Sequence, residues 1–523
     1  MTQFSKVARP VSRSIPSSLC IWATSMLAAT SACGQGQGSA APQGSGLTNN
    51  EAMVMLDYQV IRVPDDKPID MAGIRFLNKV SDSLYVGAGV YGPLAKGDYG
   101  GFMAFDLGLH AQRPLSERWF ATAGVSGGGG GGGRSIEQSK ALSGTGGYVR
   151  AYAGLGLDLG GFSLGANLSR MKFRHSSIDG TQANLFVEIP YTYLTGAYAR
   201  RGQTLSAAEA GQVLQAPGEN MLTLVLDNFR QIRPEGSYKG TINVADVQYA
   251  HFFAPDTYWY AGLGVGYHGR PLYNQMLGGV GQRLRLSQDL SLYAQLGLGS
   301  GGYAPEVINT GSGLLVYPKV SAEYALTKDL GLSLSAGYLV APKGSSKNQT
   351  VGLALTQHLR TGLGGESGND GGRAAVFRGF RVSVFQQTET RVHYNGNELG
   401  RLPMLGVQVD APINDIWYIP LQAAVAYDAY RGYPGYGEML AGLGGQINLD
   451  QAHRFQLLGQ LMAGTNVHGR ATKASAGLRY TLSDRLALNL ASGRIQARNA
   501  AGQPFSADSL SLGLEYRFAM PIW

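Results

Sequence analysis

The sequence predicts an all-β chain folded as a single large antiparallel transmembrane β-barrel of about 24 strands, built from three eight-stranded repeats. Three observations carry this prediction. Apolar and polar residues alternate with a period of two, a short polar turn recurs between the alternating segments, and one sequence unit is used three times.

The alternation is clearest in two places. From Val149, the residues Val149, Ala151, Ala153, Leu155 and Leu157 are apolar, while Arg150, Tyr152, Gly154, Gly156 and Asp158 interleave. Near the end, Leu510, Leu512, Leu514, Tyr516 and Phe518 alternate with Ser509, Ser511, Gly513, Glu515 and Arg517. Successive strand side chains point to opposite faces, so each segment has one apolar and one polar face. A soluble sandwich would turn the apolar face inward and a membrane barrel turns it outward, so periodicity alone leaves both open. Outside the first thirty residues no apolar run reaches the ~18 residues of a membrane-spanning helix. With 76 glycines, 28 tyrosines and 15% charged residues, the composition favours strands and tight turns.

The recurring turn appears as Leu115–Trp119, Leu286–Leu290, Leu326–Leu330 and Leu482–Leu486, polar turn formers between apolar ends. The repeat shows in Met276–Leu286 (MLGGVGQRLRL) and Met439–Leu449 (MLAGLGGQINL), and in LDYQVIRVP from Leu56 against LDNFRQIRP from Leu226. Eight strands per unit, at spacings of roughly 155 to 175 residues, divide the chain into repeats at 51–194, 220–358 and 376–523. Connectors fall at 195–219, where LSAAEAGQVL is a helix candidate, and at 359–375, which is Gly-rich. Three tandem eight-stranded barrels are the alternative closure. An eight-stranded lumen is just filled by side chains, and inward glycines such as Gly154, Gly156, Gly262, Gly264, Gly266 and Gly297 argue instead for one wide barrel.

Residues 1–32 read as an export signal, with Lys6, Arg9 and Arg13 ahead of a short apolar stretch, and 33–50 as a flexible Gly/Ser/Pro-rich linker. The small residues Ser31-Ala32 before Cys33 resemble the bacterial lipobox, which makes Cys33 the lipidation candidate; Thr30 stands where leucine is usual. The other cysteine, Cys20, lies within the signal, so no mature disulfide is expected. Removing the signal lowers the charge from +8 to about +5, too mild a balance to point to nucleic acid.

At the C-terminus, Ser511, Gly513, Tyr516 and Phe518 fit the polar, any, Gly, two of any, aromatic, any, aromatic pattern read by the machinery that inserts barrels. On these residues and the lipobox the chain resembles Gram-negative outer-membrane β-barrel proteins. The resemblance implies a lipid-anchored barrel in the outer membrane, with membrane lipid and the barrel-assembly machinery as partners and periplasmic export components as further candidates. One closing signal, with degraded counterparts at Tyr191 and Tyr193 and around Gly352, argues for one closure.

For function, Arg150, Arg283, Arg285, Arg454, Arg479 and Arg517 fall on the non-lipid phase and are the lumen-facing basic candidates. Guanidinium groups suit carboxylates, phosphates or sulfates. The expectation is therefore an outer-membrane channel lipoprotein for export or passage of a polysaccharide or other anionic polymer or solute. A diffusion porin and a non-conducting scaffold are the alternatives. No enzyme activity, metal or cofactor is expected: His175 beside Ser176, Ser177 and Asp179 is only superficially triad-like, and His110, His268 and His358 are scattered singles, the last read as an interface residue. GVSGGGGGGGR from Gly124 reads as an exposed loop, since no Lys-Ser or Lys-Thr follows it.

Overall fold

The computed structural model describes residues 46–133, 146–174, 176–215, 219–327, 329–360, 376–428 and 435–522. Its strands form three closed antiparallel barrels. Barrel 1 contains β1 (Leu47–Ile61), β2 (Ile69–Ser81), β3 (Leu84–Pro93), β4 (Met103–Pro114), β5 (Trp119–Gly131), β6 (Gly147–Asp158), β7 (Ser163–Phe173) and β8 (Asp179–Gly196). Barrel 2 contains β9 (Glu219–Gln231), β10 (Ile242–Ala254), β11 (Thr257–His268), β12 (Asn274–Arg285), β13 (Leu290–Gly302), β14 (Leu314–Ala325), β15 (Leu330–Val340) and β16 (Lys347–Arg360). Barrel 3 contains β17 (Val376–Tyr394), the two-residue β18 (Asn397–Glu398), β19 (Leu402–Pro412), β20 (Trp417–Ala426), β21 (Gly437–Asn448), β22 (Phe455–Asn466), β23 (Gly469–Thr481), β24 (Leu486–Arg498) and β25 (Pro504–Ile522).

Each barrel closes on itself: β1 pairs β8, β9 pairs β16, and β17 pairs β25. Among the described residues one pair, Ala519 with Gly196, links the ladders of barrels 1 and 3. The expected single barrel of about 24 strands is therefore replaced by the tandem arrangement. The inward glycines, read as a sign of a wide lumen, are instead room for large neighbours. A Cβ on Gly156 would overlap the Phe120 ring, one on Gly297 the Tyr260 hydroxyl, and one on Gly264 would lie 2.7 Å from Asp246 Oδ2. Small residues alternating with large ones fit a narrow tapering interior. Closure by three separate terminal strands also means that the degraded copies of the C-terminal pattern, in β8 and β16, each finish a barrel.

The recurrent turns share one geometry. In Leu115–Trp119, Leu286–Leu290, Leu326–Leu330 and Leu482–Leu486, the first N–H donates to the last carbonyl at 2.8–2.9 Å. A fifth example is Ile413–Trp417, at 2.8 Å. The second residue's side-chain oxygen accepts from the last N–H, as Ser116 does from Trp119 at 3.2 Å and Asn414 from Trp417 at 2.7 Å, so a short polar side chain fixes the reversal. These turns define one end of all three barrels, and longer loops define the other. With the two-residue β18 only a hairpin tip on β17, each barrel has eight wall strands, and this even count brings every connector back to the short-turn end.

Outward-facing residues form an apolar belt, with Leu461 70% exposed, Leu185 and Leu334 65%, and Val351 62%. So much exposed aliphatic surface on closed strands is the pattern of a wall standing in lipid. The glycine-rich segment from Gly124 departs from expectation, because residues up to Gly131 belong to β5 and pair with both β4 and β6. The bare backbone serves close packing: a Cβ on Gly129 would lie 2.9 Å from the Ala426 carbonyl oxygen of barrel 3.

Candidate functional site

The barrel interiors are occupied by their own side chains. In barrel 1, Arg150 donates to Asp57 Oδ2 at 2.6 Å and to the Tyr91 hydroxyl at 3.1 Å, and its guanidinium lies 5.1 Å from the Tyr152 ring centroid. Arg75 donates to the Tyr152 hydroxyl at 2.8 Å and sits 3.7 Å from Asp106. In barrel 2, Lys319 lies 4.0 Å from Asp227, while Arg283 donates to both oxygens of Glu219 at 2.8 and 2.9 Å. Barrel 3 carries Arg381 on Asp410 and Arg479 on Glu515, both at 2.9 Å, and Lys473 on Glu438 at 3.0 Å. Burying these charges is tolerable only because each meets its opposite. Toward the long loops, apolar clusters close every interior: Ile61, Tyr99 and Phe102 in barrel 1, Ile242, Tyr273 and Leu339 in barrel 2, Leu402, Tyr436 and Phe505 in barrel 3. Within barrel 3 a space of about 50 Å³ remains, room for a few waters.

Of the six basic candidates, Arg150, Arg283 and Arg479 are interior and acid-paired. Arg517 lies at the short-turn mouth of barrel 3, donating to the Ser483 carbonyl at 2.6 Å with its guanidinium 5.1 Å from the Tyr198 ring centroid. Arg285, 52% exposed, stands on the rim near Glu219 and Asp256, and Arg454 is exposed in the turn before β22. They are not a ring of like charge around an open bore. Arg75, Arg381, Lys319 and Lys473 share the interior phase and were missed; the same period of two marks them in the sequence.

The other sequence candidates also find their places. Ser511 and Gly513 face the interior of barrel 3, while Tyr516 and Phe518 point outward. His358 is no interface residue: it is buried in barrel 2, its two ring nitrogens 2.9 Å from Glu219 and Glu323. Asp179 is engaged by Arg170 at 3.0 Å, and His175, like Cys33, lies outside the described residues.

The large cavity, about 3130 Å³, lies between the barrels, lined by all three. That is about three times the upper end of ordinary ligand pockets, ~1,000 Å³. Its wall is outward-facing apolar surface: Leu56 and Leu107 from barrel 1, Leu222 from barrel 2, and Val382, Leu405 and Leu512 from barrel 3. At the long-loop end the barrels touch. Gly100 N–H donates to the Gly311 carbonyl at 2.9 Å, Asn274 Nδ2 to the Gly101 carbonyl at 2.8 Å, and a Cβ on Gly469 would meet Pro271 at 3.7 Å. Pairwise approach of barrels 1 and 2, 1 and 3, and 2 and 3 thus seals the chamber above Gly128 and Gly279. Its lining runs down to Arg485 in the last short turn.

A connector borders the lower end. Helix α1 (Ala207–Gln215) begins with a capping box, in which Ser206 N–H donates to Glu209 Oε2 at 2.9 Å and Glu209 N–H to Ser206 Oγ at 3.3 Å. Glu209 also accepts from Gly46 N–H at 3.1 Å and from Arg200, whose guanidinium stacks 4.1 Å from the Phe377 ring centroid. Val213 of α1 packs with Leu47, Leu205, Phe377 and Ala519, joining the entry to barrel 1 with the seam of barrel 3. The Arg200 hydrogen bond is the leading cause that holds the Glu209 carboxyl down at about 2. Since the folded value lies below the ordinary carboxylate value, its stabilisation is full above pH 4.5 and disappears as pH falls toward 2. Protection of the Gly46 and Ser206 amides, taken against the intrinsic exchange rate at each pH, is expected to fall across that window, and E209Q to show the lowered protection already at pH 7.

No protein-family model and no curated relative matches the chain. Among solved structures, a de novo designed transmembrane β-barrel is 19% identical over 28% of this chain and 98% of its own, with a TM-score of 0.20. The FpvAI–pyocin S2 complex is 10% identical over 90% of this chain and 73% of its own, with a TM-score of 0.30. The siderophore receptor PirA from Acinetobacter baumannii is 9% identical over 90% of this chain and 80% of its own, with a TM-score of 0.27.

Proposed function

We propose that this chain is an outer-membrane protein whose cargo space is the chamber between its barrels, and that it holds or passes amphipathic, lipid-like molecules. One observation carries the reading: the bores are filled by paired charges and apolar clusters, whereas the one large space among the described residues is walled by Leu, Ile and Val side chains. An anionic polysaccharide needs a continuous wet, polar path, and the stretch of wall formed by Leu56, Leu107, Val382, Leu405 and Leu512 interrupts it. An acyl chain loses nothing by lying against it. The export signal, acylation at Cys33, recognition of β25 by assembly machinery and docking of periplasmic partners at the short-turn end belong to the same proposal, and an outer-membrane setting accommodates all of them.

Two measurements test the reading. In planar bilayers the purified chain is expected to give no stepwise conductance. With Cys33 replaced, a thiol introduced as L107C on the chamber wall should react with N-ethylmaleimide and resist a charged methanethiosulfonate. Rapid labelling by the charged reagent would show a water-filled conduit and overturn the lipidic assignment.

A further inference from the structure

The lower part of the chamber differs from its wall. An aromatic collar encircles it, supplied by every barrel: Tyr191 and Tyr193 with centroids 6.1 Å apart, Tyr249 and Trp259 at 5.7 Å, Phe380 and Phe518 at 6.0 Å. All six lie near the short-turn ends of their strands. Tyrosine and tryptophan gather at membrane–water interfaces, where an apolar ring body and a polar tip are both satisfied. Inside a sealed chamber, such a collar marks a headgroup level.

Two arginines flank this collar. Arg378 at the start of β17 and Arg485 in the turn before β24 both line the chamber, and among the described residues neither forms an ion pair, the neighbouring Asp484 carboxylate accepting instead from the Tyr198 and Ala199 N–H groups. Lys79, on the barrel 1 side, is by contrast neutralised by Glu51 at 2.5 Å. Arg485 is held in place by the Tyr516 hydroxyl at 3.3 Å and Thr48 Oγ1 at 3.1 Å, contacts that leave its charge uncompensated. Strand β25 runs between their strands, with Arg378 opposite Met520 and Leu486 opposite Tyr516, so the two backbones stand about 14 Å apart, two strand spacings across the sheet and three residues along it, a gap two extended arginine side chains can bridge. One headgroup fits between them.

The depth accommodates one lipid with its acyl chains extended. From Arg378 to Gln386, both chamber-lining, β17 advances eight residues. At ~3.3 Å per residue and ~40° tilt this is about 20 Å, roughly two thirds of a ~30 Å hydrocarbon core. Above it the glycine seam leaves no second headgroup level.

We infer that the chamber is a binding site for a glycerophospholipid of the inner leaflet, its phosphate between Arg378 and Arg485 at the aromatic collar and its acyl chains along Leu107, Val382 and Leu512. This rests on the lipidic reading of the chamber and names its occupant. Guanidinium groups recognise phosphate through charge-assisted hydrogen bonds.

The full chain, stripped of lipid in mild detergent, is incubated with equal amounts of phosphatidylglycerol and of diacylglycerol bearing the same chains. Retained lipid is then counted by native mass spectrometry. The wild type is expected to prefer phosphatidylglycerol by about tenfold. R378A/R485A loses the preference, R494A on the far long-loop rim keeps it, and L512W, which narrows the chamber, lowers retention of both lipids. Equal retention of the two lipids by the wild type overturns the inference, as does an undiminished preference in R378A/R485A. Unchanged retention in L512W places the lipid elsewhere and overturns it too, as does displacement of phosphatidylglycerol by added lipid A. The L107C labelling result is independent of all these, so a dry chamber without phosphate preference defeats this inference alone, while a wet chamber defeats the lipidic reading beneath it.

Discussion

Replacing Arg150 with alanine is expected to destabilise barrel 1 by about 3–5 kcal/mol, the usual consequence of stranding a buried charge. Arg150 and Asp57 are both fully buried at 2.6 Å, and no solvent path lets the abandoned Asp57 carboxylate rehydrate. The double variant R150L/D57L removes both charges and should recover much of the loss, which separates the desolvation effect from lost packing. Each barrel carries one tryptophan that can report on it: Trp119, Trp259 and Trp417. With Trp259, Trp417 and Trp523 changed to phenylalanine, urea unfolding in vesicles follows barrel 1 through Trp119. A midpoint in R150A equal to that of the parent would refute the claim that these pairs hold the interior together.

The second large effect is expected at the seam. Gly101 has φ +92° and approaches the Tyr303 backbone so closely that any Cβ would overlap it. G101V therefore combines an unfavourable backbone conformation with a steric block at the contact between barrels 1 and 2. The Gly100–Gly311, Asn274–Gly101 and Leu94–Leu314 hydrogen bonds lie on that contact, at 2.9, 2.8 and 3.1 Å. Losing them together should weaken the seam by roughly 3 kcal/mol, at ~1 kcal/mol per bond. Spin labels at R62C and R233C, on the long-loop ends of the two barrels, should change from a narrow to a broad distance distribution while each barrel stays closed. A distribution as narrow as that of the parent would show that the barrels are held apart by something other than these contacts.

The strands and the short turns were legible because each is written locally. Alternation from Val149 to Leu157 and the Ser or Thr in each turn act within a few residues. Closure was not legible. One barrel of twenty-four strands and three of eight share the same local pattern, and the difference rests on whether β8 pairs with β1 or with β9, a choice between partners far apart in sequence. Gly156 and Gly297 misled for the same reason, since the Phe120 and Tyr260 side chains that fill their space come from neighbouring strands. Interior cations were partly readable by phase, as with Arg150 and Arg479, but their acid partners were not. The chamber was hidden altogether, because Leu107 or Val382 facing it looks no different in sequence from a leucine facing bulk lipid.

The connector through Tyr198 and helix α1 has one more implication. Three separate barrel subunits would have to find one another in the membrane, and their association would weaken on dilution. Joined in one polypeptide, they meet at an effective concentration set by the tether, on the order of millimolar for short flexible linkers. Stoichiometry is thereby fixed at synthesis. Covalent union also frees the three walls from identity: Arg378 and Arg485 belong to barrel 3, and α1 follows barrel 1. A symmetric trimer would repeat every such feature around its axis, whereas this chain can give its chamber a front and a back.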